Sequence, residues 1–526
     1  TLEYHFRHTL TRDVAYDSLL YSRRRKLHLV IAQATEVLYA DRLEEHVASL
    51  AHHYREAEAW SQALLYQRRA GERAQTLFAN KDAIAYFRRA VTTVEKHLPE
   101  LLEALGSTDV VEALIDVWER LGDVLLIEGR YDEALEAYDQ ARHLLTQDGP
   151  PDVLARFCRK AAAVYERKAD YPLALDWLEQ GLDALSDQEV VEVARIYNLG
   201  GGVFYRQGQR EQALEWLQRA LHIAERLDAQ SEIANAYLTM AVTYSELGDI
   251  DRSLAFGQRC LRAYEAAGDL TGSVKARINL GIISRKADQW AEAAEHYRAG
   301  LHLSEMMSDR MRIGQFANNM GNVYLDQGKL DEAAAAYRRS IEMWQPSGFL
   351  YGVAAAYINL GKVAVTRGNL AEGLNYLNEA LALAQEIGAR GYLPEIYHWQ
   401  ALLHLSRHQY GKALELAEQA FKLARELKDR AEQGGALRVL GQVYVALEDL
   451  AQAREHLNAS LDYFKSLKSA YEAARTSFQL ALAHLGDPAQ RARGLELLHQ
   501  AQTVFAELGA QWDLAQTKRA IQRFAV

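Results

Sequence analysis

Small residues recur along this chain at a near-constant interval, with large apolar residues at helical spacing around them. Counted in both directions from Gly321, a Gly or Ala stands at Gly122, Ala162, Gly201, Ala241, Gly281, Gly361, Ala401, Gly441 and Ala481, with every step 40 residues except one of 39. Seven residues past most of these anchors comes a helix stop, Gly129, Gly208, Gly248, Gly328 and Gly368, with Asp288, His408 and Glu448 in the same slot elsewhere. A second small residue follows twelve past the anchor (Ala134, Ala174, Ala213, Ser253, Ala293, Ala333, Gly373, Ala413, Ala453), and a third seven later. Tyr138, Leu178, Leu217, Tyr297, Tyr337 and Leu377 flank them. Two antiparallel helices per period explain the pattern: small residues lie where backbones approach, and bulky ones fill the spaces between. Gly257 and Ala417 replace the bulky residue of the second helix, and Ser284 and Ala364 replace an aromatic of the first, so looser packing is expected there.

These copies resemble the tetratricopeptide repeat, most clearly in "NMGNVYLDQGKLDEAAAAY" and "RLGDVLLIEGRYDEALEAY". That repeat is usually 34 residues, and six more over two helices lengthen each by about 4.5 Å. The forty-residue form is also similar to repeats of animal spindle-orientation adaptors and of bacterial regulators. The expected fold is all-α, a right-handed superhelical solenoid of about ten helix pairs over residues 105–510. The chain closes with "AQWDLAQTKRAIQRF", which starts at Ala510, and 511–526 reads as a capping helix with its Arg and Lys in solvent, because a solenoid's last repeat has one unpaired face.

The first hundred residues depart from this period. Ala51, Ala63 and Ala70, then Gly71, Ala83 and Ala90, repeat the twelve-plus-seven spacing only twenty residues apart, so 43–104 is expected to start irregularly, with one helix serving two pairs. Before it, "FRHTLTRDVAYDSLLYSRRRKLH" and "LAHHY" resemble the junction at which the nucleotide-binding module of bacterial signal-transducing ATPases meets its repeats. Phe6, His8, Val14, Ala15, Tyr16, Leu19, Arg24 and His28 carry this likeness. It implies that residues 1–42 end an upstream module of a protein linked to an adenylate cyclase, kinase or transcription regulator. No Gly-rich phosphate loop with Lys-Ser/Thr is present, and the chain starts without methionine, so the ATPase is expected outside this sequence.

Composition narrows the function further. The 526 residues are 49% hydrophobic and 25% charged, as in ordinary globular proteins. The formal charge is −11; residues 1–30 carry six basic and three acidic residues, leaving −14 for the rest. So acidic a body disfavours a nucleic-acid partner. Two distant cysteines, Cys158 and Cys260, leave no disulfide framework or Cys-based zinc site, which fits a reducing cytoplasm. No run approaches the ~20 apolar residues that cross a membrane. His5, His8, His52 and His53 lack metal spacing, since His52 and His53 point about 100° apart on a helix; structural or surface roles are expected, and no metal or cofactor. The run "RRRK" at 23–26 reads as a solvated face or a contact with the upstream module. No Ser-His-Asp or Cys-His constellation is present, so no enzyme is expected.

What remains is a groove. In the resembled family the first helices line the concave face. The inward slots fall six, three and two before each anchor, and one and four after it. They give Asn279 and Arg285; Asn318, Asn319 and Asn322; Asn359 and Lys362; His398; and Arg438 and Gln442. Asn279, Asn319 and Asn359 form a ladder at forty-residue steps. An amide offers both donor and acceptor, so such a row can pair with an extended peptide backbone. The expected function is binding of a protein or peptide partner, as the sensor arm of a bacterial signalling protein. A free-standing scaffold and a receptor for a small-molecule inducer are the alternatives.

Overall fold

A computed structural model describes residues 16–77, 79–145, 149–186 and 188–524. Of the junction residues, Phe6, His8, Val14 and Ala15, with His5, lie outside them. The described residues form α-helices joined by short turns and 3₁₀ segments, with no strand among them. They divide into two compact units, residues 1–228 and 229–526.

In the first unit, α1 (Tyr21–Leu38) is followed by α2 (Val47–Glu56), α3 (Trp60–Thr76), α4 (Asn80–Lys96) and the short α5 (Leu98–Leu105). Helix α3 packs against both α2 and α4. Helix α1 buries little, only His28 and Ala32, while Arg24 and Arg25 of the basic run pair with Asp17 and Glu58. Three helix pairs follow: α6 (Ser107–Ile127) with α7 (Tyr131–His143), α8 (Pro151–Arg167) with α9 (Tyr171–Leu185), and α10 (Val191–Arg206) with α11 (Arg210–Arg226).

The second unit holds seven pairs: α12 (Gln230–Glu246) with α13 (Ile250–Ala266), α14 (Leu270–Lys286) with α15 (Trp290–Met306), α16 (Arg310–Asp326) with α17 (Leu330–Trp344), α18 (Leu350–Arg367) with α19 (Leu370–Glu386), α20 (Leu393–Ser406) with α21 (Tyr410–Glu426), α22 (Arg430–Ala446) with α23 (Leu450–Ser466), and α24 (Ala470–Leu485) with α25 (Arg491–Leu508). Helix α26 (Gln511–Phe524) closes the chain.

The sequence dictates where each helix stops. At every twentieth residue from 208 to 468 the backbone takes a positive φ, whether the residue is Gly (Gly248, φ 76°) or not (Asp288, φ 58°; Glu448, φ 63°). After α16 the Lys329 N–H reaches the Tyr324 carbonyl at 2.8 Å and the Gly328 N–H reaches Leu325 at 2.9 Å, the double closure of a helix end by a left-handed residue. Side chains then start the next helix: Asp249, Asp269, Asp309 and Asp449 each accept the N–H three residues on. A left-handed non-glycine costs about 1 kcal/mol, and glycine adds about 0.5 kcal/mol of freedom to the unfolded chain. Lys428→Gly and Glu448→Gly, both exposed, should therefore each stabilise the fold by about 0.5 kcal/mol, readable as a raised urea midpoint.

Within pairs, the anchor faces the residue sixteen positions on. A Cβ built at Gly122 would lie 2.4 Å from Tyr138, at Gly281 2.2 Å from Tyr297, at Gly321 2.6 Å from Tyr337, and at Gly441 2.4 Å from Leu457. Gly71 meets Phe87 in the same way, at 2.5 Å, outside the regular repeats. The slots expected to pack loosely are closed. Leu280 of the following pair reaches the space beside Gly257, and Ala417, Ser284 and Ala364 are buried.

Within the second unit the last helices fold back onto earlier pairs. The Tyr471 N–H at the start of α24 donates to Asp288 Oδ2 at 3.1 Å, Lys468 Nζ donates to the Gly248 carbonyl at 3.3 Å, and the Gln511 N–H donates to the Gln327 carbonyl at 3.3 Å. Trp512 packs on Gly328. Below these contacts Val274, Ile278, Trp290 and Phe316 share one apolar core with Tyr471, Ala474, Ala501 and Phe505.

Candidate functional site: the inner helix face of the second unit

The first helices of successive pairs carry a row of charged and amide groups, each tied to the next. Arg285 on α14 makes a two-pronged bond to Asp326 on α16, Nε to Oδ2 at 2.6 Å and Nη2 to Oδ1 at 3.1 Å. Lys362 on α18 pairs with Glu395 on α20. His398 on α20 lies 3.3 Å from Glu432 on α22 and is buried. Arg438 on α22 reaches Glu472 Oε2 on α24 at 2.5 Å and the Thr476 hydroxyl at 3.3 Å. Glu472 also accepts from Arg475 at 3.2 Å, and Arg475 lies 3.8 Å from Asp513 on α26. Each cation named in this row is thus matched by an acid about one repeat further on.

Burial and charge compete in this row. Burial pushes the Glu472 carboxyl up, but Arg438 and Arg475 together overcome it and hold the group down at about 2. The same burial draws Arg438 below its ordinary value, and Arg475 repels it further, so two guanidiniums share one carboxylate. Asp513 is raised by burial against the pull of Arg475. Glu395 is raised by burial but lowered more by Lys362, His398 and Arg285.

The asparagines do not behave alike. Asn279 donates to the Lys275 carbonyl of its own helix at 3.1 Å. Asn322 accepts from the Tyr337 hydroxyl at 2.9 Å, which fixes the ring that faces Gly321. Asn359, itself buried, donates to Asn318 Oδ1 at 3.1 Å and joins α18 to α16. The Asn319 amide nitrogen is buried and meets no acceptor. Gln442 is half-buried on α22.

Spacing from the anchors reaches the cations and amides of this row and Glu395, six before Ala401, but not the other acids. Asp326 lies five past its anchor, and Glu432 and Glu472 nine before theirs, outside the slots used to select inward residues. A buried basic residue needs a counter-charge, and that requirement was the available signal.

A family model described as tetratricopeptide repeat matches residues 113–187, 192–266, 232–305, 312–386 and 392–466, well over half of the chain. The chain is similar to the transcriptional activator NprA of Geobacillus stearothermophilus, 24% identical over 54% of this chain and 67% of the activator. It is also similar to the regulatory protein AfsR of Streptomyces griseus, 26% identical over 57% of this chain and 30% of that regulator, so it spans under a third of AfsR's length. Among solved structures, the apo form of the quorum sensor NprR from B. thuringiensis shares the fold, with TM-score 0.52 and 12% identity over 68% of this chain and 99% of that one. No helix among the described residues is long and apolar enough to cross a membrane.

Proposed function

The chain belongs to the tetratricopeptide repeat family, and we propose that its second unit binds a protein or peptide segment on the inner helix face, as the regulatory arm of a bacterial signalling protein. The observation that carries this reading is the Asn319 amide: its nitrogen is buried without an acceptor, which costs about 1–3 kcal/mol, and a turn of this half-buried side chain toward the backbone carbonyl of a bound segment would relieve that cost. It sits beside the Asn318–Asn359 pair, whose remaining donor and acceptor capacity offers the same kind of contact. The likeness to NprA and AfsR supports regulation as its setting. On the first unit, Leu20, Val30, Val37 and Leu38 of the α1 region are exposed, which supports a contact between this helix and an upstream module.

The test is to select linear peptides from a random library on the full chain, and then to replace Asn279, Asn319 and Asn359 together by Ala. Binding should fall roughly tenfold or more, about 1.4 kcal/mol, while helicity stays close to wild type and stability drops by no more than the lost Asn359–Asn318 bond, about 1 kcal/mol. Collapse of melting would make the ladder structural. Thermal stabilisation by a metabolite and by no peptide would replace this reading with a small-molecule receptor.

A further inference from the structure

Three histidines from two helices of the first unit meet at one point. His52 and His53 stand side by side on α2, and the spacing along that helix alone keeps them apart. Helix α1 packs against α2 and brings His28 between them. The ring centroids form a nearly equilateral triangle, with His28–His52 5.6 Å, His28–His53 5.0 Å and His52–His53 5.3 Å. One nitrogen from each ring lies within 4.8 Å of the others.

We infer that His28, His52 and His53 form a binding site for a divalent transition-metal ion of the zinc or cobalt class, which staples α1 to α2. The geometry supports three ligands on one centre. A metal–nitrogen bond of about 2.0–2.1 Å at tetrahedral angles places imidazole nitrogens about 3.3 Å apart and ring centroids about 5 Å apart. The centroid separations here match that value, and the shortest contact, His28 Nδ1 to His53 Nδ1 at 2.7 Å, needs to open by only about 0.6 Å.

The surroundings suit a ligand set. The Tyr16 hydroxyl lies 2.9 Å from His28 Nε2, a partner for the N–H of a ring whose other nitrogen holds a metal. Glu56 Oε1 lies 3.9 Å from His52 Nδ1 and is held in turn by Arg55. His52 is exposed, so an ion enters from solvent, whereas His28 is buried in the contact between the helices. All three ligands are imidazoles, which select zinc, cobalt, nickel or copper over calcium and magnesium. Because α1 buries only His28 and Ala32, a bond from His28 to a metal shared with α2 would add most to its attachment.

The experiment uses the full chain, freed of metal by chelator and titrated with Co²⁺ alone. Wild type should take up one equivalent with the intense visible bands of four-coordinate cobalt, and Zn²⁺ should displace it. His52→Ala replaces an exposed side chain and so spares the fold; it should weaken binding on the order of 100-fold, as should His53→Asn. His302→Ala, exposed and outside the cluster, should bind like wild type. Zn²⁺ should also slow amide exchange across residues 21–38 in wild type but not in His52→Ala. The weak spectrum of six-coordinate cobalt, or equal affinities for wild type, His52→Ala and His53→Asn, would overturn the assignment.

Discussion

Glu472→Ala should destabilise the second unit by roughly 3 kcal/mol, because it leaves the buried Arg438 and the half-buried Arg475 without their shared anion. Arg438 loses its contact at 2.5 Å and Arg475 its contact at 3.2 Å, while Arg475 keeps the more distant Asp513 and the face of the Tyr471 ring. The attraction itself contributes less than this loss suggests, since desolvating the partners offsets most of it. Replacing the pair together, Arg438→Met with Glu472→Leu, should accordingly recover most of the stability.

The pH dependence follows from the same geometry. A carboxyl held at about 2 in the fold and near 4.5 when unfolded contributes stability that is fully present above 4.5 and lost as pH falls toward 2. That span is worth about 3 kcal/mol. Asp513 and Asp288, both raised by burial, act in the opposite direction: ionised they cost stability, and they return it as pH falls through their raised values. Urea unfolding of wild type and Glu472→Ala should thus differ most at neutral pH and converge near pH 2.

The second large effect lies at the anchors. Gly281→Ala puts a methyl 2.2 Å from the buried Tyr297 ring. Overpacking of this kind costs up to about 3 kcal/mol, and alanine's better helix propensity returns about 1, for a net loss of about 2 kcal/mol. The chain itself shows the remedy. Tyr stands opposite an anchor only where that anchor is glycine, at Gly122/Tyr138, Gly281/Tyr297 and Gly321/Tyr337; alanine anchors face Leu178, Gly257, Ala417 and Leu497. Adding Tyr297→Leu to Gly281→Ala reproduces the Ala162/Leu178 combination, and the double variant should be more stable than the sum of the single losses by about 1 kcal/mol or more. Additive losses would show that ring and anchor do not compete for one space.

The repeats were legible because their cause is local. The small residue that admits a ring, the left-handed residue that ends a helix and the aspartate that begins the next recur at fixed offsets, and Gly328 or Asp449 announces its role from its neighbours alone. The inner face was half legible. Arg285, Lys362, His398 and Arg438 follow from the anchors, but Asp326, Glu432 and Glu472 sit at other offsets, chosen by where the neighbouring helix passes. His28 was harder still, because only the crossing of α1 over α2 brings it to His52 and His53. The fold-back of the last helices leaves no periodic trace: Asp288 and Tyr471 are 183 residues apart, and no interval in the pattern links them.

That fold-back changes how the second unit comes apart. A stack in which each repeat touches only its neighbours frays from its free end, one pair at a time, with low contact order and graded cooperativity. Here α24 begins on a carboxylate from the turn after α14, and Phe505 of α25 lies in the same core as Ile278 of α14 and Phe316 of α16. The C-terminal helices therefore have no early exit. Pulling them away exposes the middle of the unit, so the helices from α14 to α26 are expected to melt as one cooperative block, and their shared core is complete only once a loop of nearly two hundred residues has closed.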